Sequence, residues 1–386
     1  MMIHLHSSYF SYTTKLPSVA TVVFCDRMNR REKKQKGGIA MILTRMGDGS
    51  FVEMTTAEIR VDVEAGIEDA VKKAKCPPLT DEDTEHLMDI ICDPRKFVSV
   101  ERGNELVLTY DSQPMKFARL GIPIDRVQIL QIYERALMAD TLEMAYVHYS
   151  AKPVKTILPE EQYAVAEALL TTTPALLYGV MPNMPTYTKP DGPCENAAEL
   201  LPKGMVTEAR EAQMEAASML EHDLLLLGAA MNEAGADGLD FDTSAAGGDA
   251  EFYACLRAVE QLRAKYPRMN IEVGMSSEFV LGFHSALEYK GERLAGMYPH
   301  KQCRMLAEAG ANVAGVVVNT NSSRSFPWNL ARALTMCKYA AAVSTIPVHA
   351  NVGMGVGGVP MQITPPIDCV SRASTAMAEI GKLDGL

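Results

Sequence analysis

Ala234-Gly235-Ala236-Asp237-Gly238-Leu239-Asp240-Phe241-Asp242 is the stretch whose reading decides the fold. An alanine-rich amphipathic segment ends at Gly235, as a helix does when it closes in a left-handed cap. A short turn then feeds an apolar run with the length and composition of a buried parallel strand. Ala309-Gly310-Ala311-Asn312-Val313-Ala314-Gly315-Val316-Val317-Val318 repeats the pattern, and Ile380-Gly381-Lys382-Leu383-Asp384-Gly385-Leu386 starts it a third time. Aligning Leu386 with Leu239 puts the next residue in the place of Asp240, at the functional end of a strand. Stopping on a strand's first residues would leave its neighbours with unpaired backbone groups, so the chain reads as truncated.

Working outward, strands are expected at 142–149, 175–180, 238–242, 270–275, 313–318 and 346–349, with helices at 160–170, 207–233, 250–265, 301–309, 328–343 and 368–380. Strict alternation with right-handed crossovers predicts a parallel sheet. A doubly wound sheet would carry Gly-x-Gly-x-x-Gly after its first strand, and no such turn is present. Gly353-Met354-Gly355-Val356-Gly357-Gly358 is glycine-rich but opens no helix, because Pro360, Pro365 and Pro366 follow. A plain loop outweighs phosphate binding there. Six strands and a started seventh predict an α/β fold, a (β/α)8 TIM-type barrel over 142–386, incomplete at its C-terminus. Residues 41–141 read as an N-terminal cap: helical patterns at 55–74 and 80–92, then a hairpin about Arg102-Gly103-Asn104. In residues 1–40 a short apolar patch precedes a basic run, the reverse of a secretory signal. They read as a non-native extension, with Met41 as the natural first residue.

The 386 residues are 47% apolar with a net charge of −11, which supplies a large core and no basic face for nucleic acid or anionic membrane. The eight cysteines are scattered, without Cys-x-x-Cys or a Cys/His cluster, so neither a disulfide framework nor a zinc site is expected. No apolar run approaches the roughly 20 residues of a membrane span. Together these predict a cytoplasmic protein.

In a barrel of this kind the active site lies at the carboxyl ends of the strands. Those ends are polar here: Asp240, Asp242 and Thr243; Glu272 and Ser276; Asn319 and Asn321; His349 and Asn351. Alternation sends Asp240 and Asp242 to one side, and likewise Asn319 and Asn321. One strand-end Asp is as readily structural as functional, but several strands doing so together point to a site. Glu272, isolated between Ile271 and Val273, is in a setting that raises a carboxyl pKa and suits a general acid; a salt bridge is the structural alternative. His349 reads as a ligand, a proton shuttle or a hydrogen-bonded structural group. The proline-rich 181–193, with Tyr187, reads as a lid or rim. No metal-ligand triad is visible.

Residues from about Arg45 onward closely resemble the dimethylamine:corrinoid protein methyltransferases. The resemblance is carried by Ala139-Asp140-Thr141-Leu142-Glu143-Met144, Lys152-Pro153-Val154-Lys155, Met181-Pro182-Asn183-Met184 and Pro190-Asp191-Gly192-Pro193. It continues through Gly235-Ala236-Asp237-Gly238 to Asp242-Thr243, Gly310-Ala311-Asn312-Val313, Trp328-Asn329-Leu330-Ala331-Arg332-Ala333, His349 to Gly358, and Thr364-Pro365-Pro366-Ile367-Asp368. No single stretch is specific; together they are. The resemblance implies that the residue after the Asp-Gly-Leu turn is pyrrolysine, encoded by an in-frame amber codon. It further implies that the imine adds dimethylamine and presents a methyl group to cobalt(I) of a separate corrinoid protein. Monomethylamine and methylcobalt(III) result. The corrinoid would be carried by the partner, with no cofactor and no metal held by this chain. Glu272, Asp240 and Asp242 are the candidate catalytic acids on geometry; Asn319, Asn321, His349, Asn351 and Tyr187 are the candidate substrate-binding residues. Left open are a cobalamin-linked barrel methyltransferase without pyrrolysine, a non-catalytic fragment, and homo-oligomerisation.

Overall fold

The structure is a computed structural model describing residues 41–98, 177–236, 238–362 and 365–386, with two short strands at 115–116 and 123–124. The expected extension at 1–40, the hairpin about Gly103, the strand at 142–149 and the helix at 160–170 lie outside the described residues. Ile42–Leu386 forms one compact unit.

β1 (Met41–Arg45) and β2 (Phe51–Thr55) form a hairpin that the apolar pattern did not announce, since much of each strand is exposed. α1 (Thr56–Ala74) and α2 (Asp81–Cys92) follow, each opened by a capping box: Thr55 with Glu58, and Thr80 with Asp83. Two-residue strands β3 (Met115–Lys116) and β4 (Pro123–Ile124) pair antiparallel.

The remaining elements alternate. β5 (Leu177–Val180) leads through α3 (Ala197–Leu200) and α4 (Val206–Glu233) to β6 (Gly238–Ser244), then α5 (Asp249–Lys265) and β7 (Asn270–Met275). A small antiparallel pair, β8 (Glu288–Tyr289) and β9 (Glu292–Arg293), precedes α6 (Pro299–Ala309). β10 (Val313–Val316), α7 (Phe326–Val343), β11 (Val348–Ala350) and α8 (Ile367–Glu379) complete the series. The sheet runs β5-β6-β7-β10-β11 with every pair parallel. Spatial order follows chain order without reversal, unlike a doubly wound sheet. Among the described residues the sheet is open: an α/β fold on a parallel sheet, with no closed barrel.

Strand alternation divides the residues cleanly. Leu239, Phe241, Ile271, Val273, Met275, Ala314, Val316, Val348 and Ala350 are buried in one core with the helices. Each large side chain there contributes about 1.5–3 kcal/mol. The alternate positions, Asp240, Asp242, Glu272, Gly274, Gly315 and His349, face the other way. After α8 the chain turns through Lys382 at φ 54°, and Asp384 seats it beside β11. Its amide donates to the Val348 carbonyl at 2.9 Å, and its carboxylate accepts from the Val348 amide at 2.9 Å. Gly385 then bridges His349 in parallel, and Leu386 is buried.

Candidate active site

The site is built on the face opposite the helices. Register pairs Asp240 with Glu272, Gly274 with Gly315, and Gly315 with His349, so three carboxylates and an imidazole share one surface. Two glycines form its floor. A Cβ on Gly274 would lie 3.2 Å from the Asp242 carboxylate and 3.9 Å from that of Asp240, so both acids lean over it. A Cβ on Gly315 would lie 2.6 Å from His349 Nε2. The imidazole therefore crosses β10 above a bare backbone, and its Nε2 meets the Glu272 carboxylate on β7. Glu272 and His349 are both under a tenth exposed. A buried carboxylate beside a buried imidazole is the arrangement in which a proton is held and passed on. Glu272 thus has its partner in the His349 imidazole, a salt bridge only when that ring is protonated.

The rim is held in unusual backbone. β6 is irregular between Phe241 and Ser244, and Thr243 takes φ 56° and Ala245 φ 67°. A left-handed β-branched residue is costly and clusters at functional sites. The Asp242 carboxylate accepts from the Thr243 amide at 2.7 Å, and the Thr243 hydroxyl donates to the Asp242 carbonyl at 2.7 Å and lies 3.6 Å from Met181 Sδ.

The other sequence candidates lie elsewhere. β10 ends at Val316, so the alternation expected to carry Asn319 and Asn321 to one side stops before reaching them. Asn319 is bound reciprocally to Glu278: each backbone amide donates to the other's side chain at 3.2 Å. Asn321 is exposed and accepts from the Ser323 amide at 3.0 Å and hydroxyl at 2.7 Å, shaping its own turn. The Tyr187 hydroxyl donates to Asp223 of α4 at 2.7 Å; burial, then Asp223, push its pKa well above the ordinary value. Asn351 follows β11 directly, its amide 3.4 Å from the Val316 carbonyl, at the edge of the acidic face. In the glycine-rich loop the amides of Gly353, Val356, Gly357 and Val359 all donate to main-chain carbonyls rather than toward a phosphate.

Three features went unread in the sequence. Gly274 and Gly315 had an available signal, because glycine inside a strand marks a close approach. Arg332, on α7, is buried between Glu278, to which its Nη1 donates at 2.7 Å, and Asp69, to which its Nε donates at 2.7 Å. Burial alone would lower its pKa, but Glu278 and Asp69 hold it above the ordinary value. Glu251 of α5 is completely buried. Burial pushes its pKa up to about 7 against backbone amides that lower it. Among the described residues no group of three His, Cys, Asp or Glu side chains could hold a metal ion, and no helix is long and apolar enough to cross a membrane.

No solved structure matches the chain. The model of the dimethylamine methyltransferases matches residues 40–386, a span that includes every strand of the sheet and all four groups of the acidic face. The chain belongs to the dimethylamine methyltransferase family and is a methyltransferase of methylamine metabolism.

Proposed function

We propose that the protein moves a methyl group from dimethylamine to the Co(I) corrinoid of a separate protein, leaving monomethylamine, and that a pyrrolysine following Leu386 activates the amine. The observation that carries this reading is the register of the last residues. Gly385 pairs with His349, so two residues further a side chain would emerge on the face that holds His349 and Glu272. We place that residue on the next strand of a (β/α)8 barrel, of which the five parallel strands and residues 384–386 form an arc.

The chain's own groups then have definite tasks. Dimethylamine is almost wholly protonated at neutral pH, and Asp240 and Asp242 attract the cation. Addition to the imine carbon needs the nitrogen lone pair, so a proton must leave the ammonium and another must reach the imine nitrogen. The Glu272–His349 pair can take the first and return it. Addition fixes the nitrogen and orients one methyl carbon for in-line attack, which is catalysis by proximity. The corrinoid is the acceptor substrate, brought by its own protein to the open carboxyl end of the sheet.

The test compares two longer proteins that continue past Leu386, one with pyrrolysine next and one with Lys. Methyl transfer is followed by the absorbance of the methylated acceptor. The pyrrolysine form should turn over and the Lys form should not, because Lys supplies length and charge but no imine carbon. Comparable rates would remove pyrrolysine from the reaction and favour a barrel methyltransferase without it.

A further inference from the structure

The first turn of α5 holds together the loops that follow β5, β6 and β7, and it does so with two buried carboxylates. Asp249 accepts from the backbone amides of His284 at 2.9 Å and Ser285 at 2.7 Å, both in the loop after β7. Its own amide donates to the Leu281 carbonyl of that loop at 2.8 Å. Glu251 reaches the other two loops. Its Oε2 accepts from the Met184 amide at 3.0 Å, in the loop after β5, while the amides of Ala245, Ala246 and Gly247, after β6, also act on it. Gly247 is bare for this contact: a Cβ there would stand 2.7 Å from Oε2 and 3.2 Å from the Met184 side chain. The same two loops touch again where the Thr243 hydroxyl meets Met181 Sδ. Thr243 follows Asp242, so whatever sets this turn sets that carboxylate.

We propose that Glu251 is a positioning residue for methyl transfer, locking the 181–187 segment to the turn at 243–248 so that Asp242 and the loop above it keep one geometry around the amine. The proposal rests on the site reading above but concerns a residue remote from the reacting atoms. A surface capping acid would be solvated. Glu251 is not: its Oε1 has no hydrogen-bond partner among the described residues, and it lies wholly inside the protein. The residues whose amides face it, Met184, Ala245, Ala246 and Gly247, carry no charge. The titratable side chain beside it is the Cys255 thiol of its own helix, held far above its ordinary range by burial and then by Glu251. The clamp therefore changes with a single proton in the neutral range: the ionised carboxylate grips the amides more strongly, the neutral acid less.

The experiment uses the full-length protein labelled with [methyl-13C]methionine, with Met181 and Met184 assigned by Met181→Leu and Met184→Leu. Both methyl resonances should titrate with a midpoint near 7 in the wild type and lose that titration in Glu251→Gln. In the pyrrolysine form, Glu251→Gln should lower kcat/KM for dimethylamine about ten-fold or more, because small displacements of a positioned group cost rate steeply. Resonances flat across the neutral range in the wild type would overturn the proposal, and this reading needs no variant to fold. So would a Glu251→Gln enzyme of undiminished kcat/KM. A wild type that fails to demethylate dimethylamine would sink the functional reading instead, and the methionine titration would still decide the clamp.

Discussion

Glu272 and His349 illustrate how two residues on non-adjacent strands become one chemical unit. They meet because Gly315, on the strand between them, has no side chain to keep them apart. Glu272→Gln, made in the pyrrolysine form proposed above, keeps the shape and removes the titrating group, and should lower methyl transfer by about 10²–10⁴-fold. Substrate binding should suffer much less, so a kcat loss with little change in KM is the expected pattern; activity within a few-fold of wild type would make the pair structural. Gly315→Ala tests the floor. The added Cβ would meet His349 Nε2 at 2.6 Å and Gly274 Cα at 2.8 Å. The ring can swing away but the neighbouring backbone cannot, so the substitution should cost about 1–3 kcal/mol and lower the unfolding temperature. An unchanged unfolding temperature would show that β10 can shift to make room.

Among the elements, α5 is the one whose first turn carries both packing and charge. Burial pushes its Glu251 carboxyl up to about 7 from an ordinary 4.5, so the folded state binds the proton more tightly than the unfolded chain. The resulting stabilisation is complete below about pH 4.5, declines as pH rises, and is gone above about pH 7, a total of about 3 kcal/mol. Denaturant titrations of wild type and Glu251→Gln across that range measure it. The stability of wild type relative to the variant should fall with rising pH. A constant difference, or one that grows, would contradict a raised pKa at this carboxyl.

At the scale of the whole molecule, Arg332 ties the N-terminal helix to the sheet. It joins α7 to Asp69 of α1 and to Glu278 beyond β7, and its Nη1 lies 3.4 Å from the Asn319 carbonyl beyond β10. α1 comes close enough to be held because Gly66 lies where a Cβ would stand 2.4 Å from the Trp328 carbonyl. Removing the cation would leave the Glu278 carboxylate in the interior without its charged partner. Arg332→Leu should therefore cost about 3–5 kcal/mol. The loss should appear as a lower midpoint for the cooperative unfolding of the entire unit, not as fraying of α1 alone. Hydrogen exchange that speeds up only in residues 56–74 would instead show an independent cap.

The sequence by itself determined the order and type of the main strands and helices from α4 to α8, but not the β1–β2 hairpin or the β8–β9 pair. The α4–β6 and α6–β10 junctions each place a capping glycine and then an apolar run, and that local chemistry holds wherever the segments end up. It also determined that Asp240, Asp242 and Glu272 stand on one side of their strands, since alternation by two is a backbone property. The periodicity could not say where a strand stops. β10 ends at Val316 because Asn319 and Asn321 are taken by Glu278, by a turn and by Asn329, contacts that come from other elements. Nor could it show that His349 would meet Glu272 across a bare Gly315, or that Glu251 would end inside the protein gripping two loops. Those depend on which strand lies beside which and on how far apart their backbones sit. Tertiary structure alone decided them.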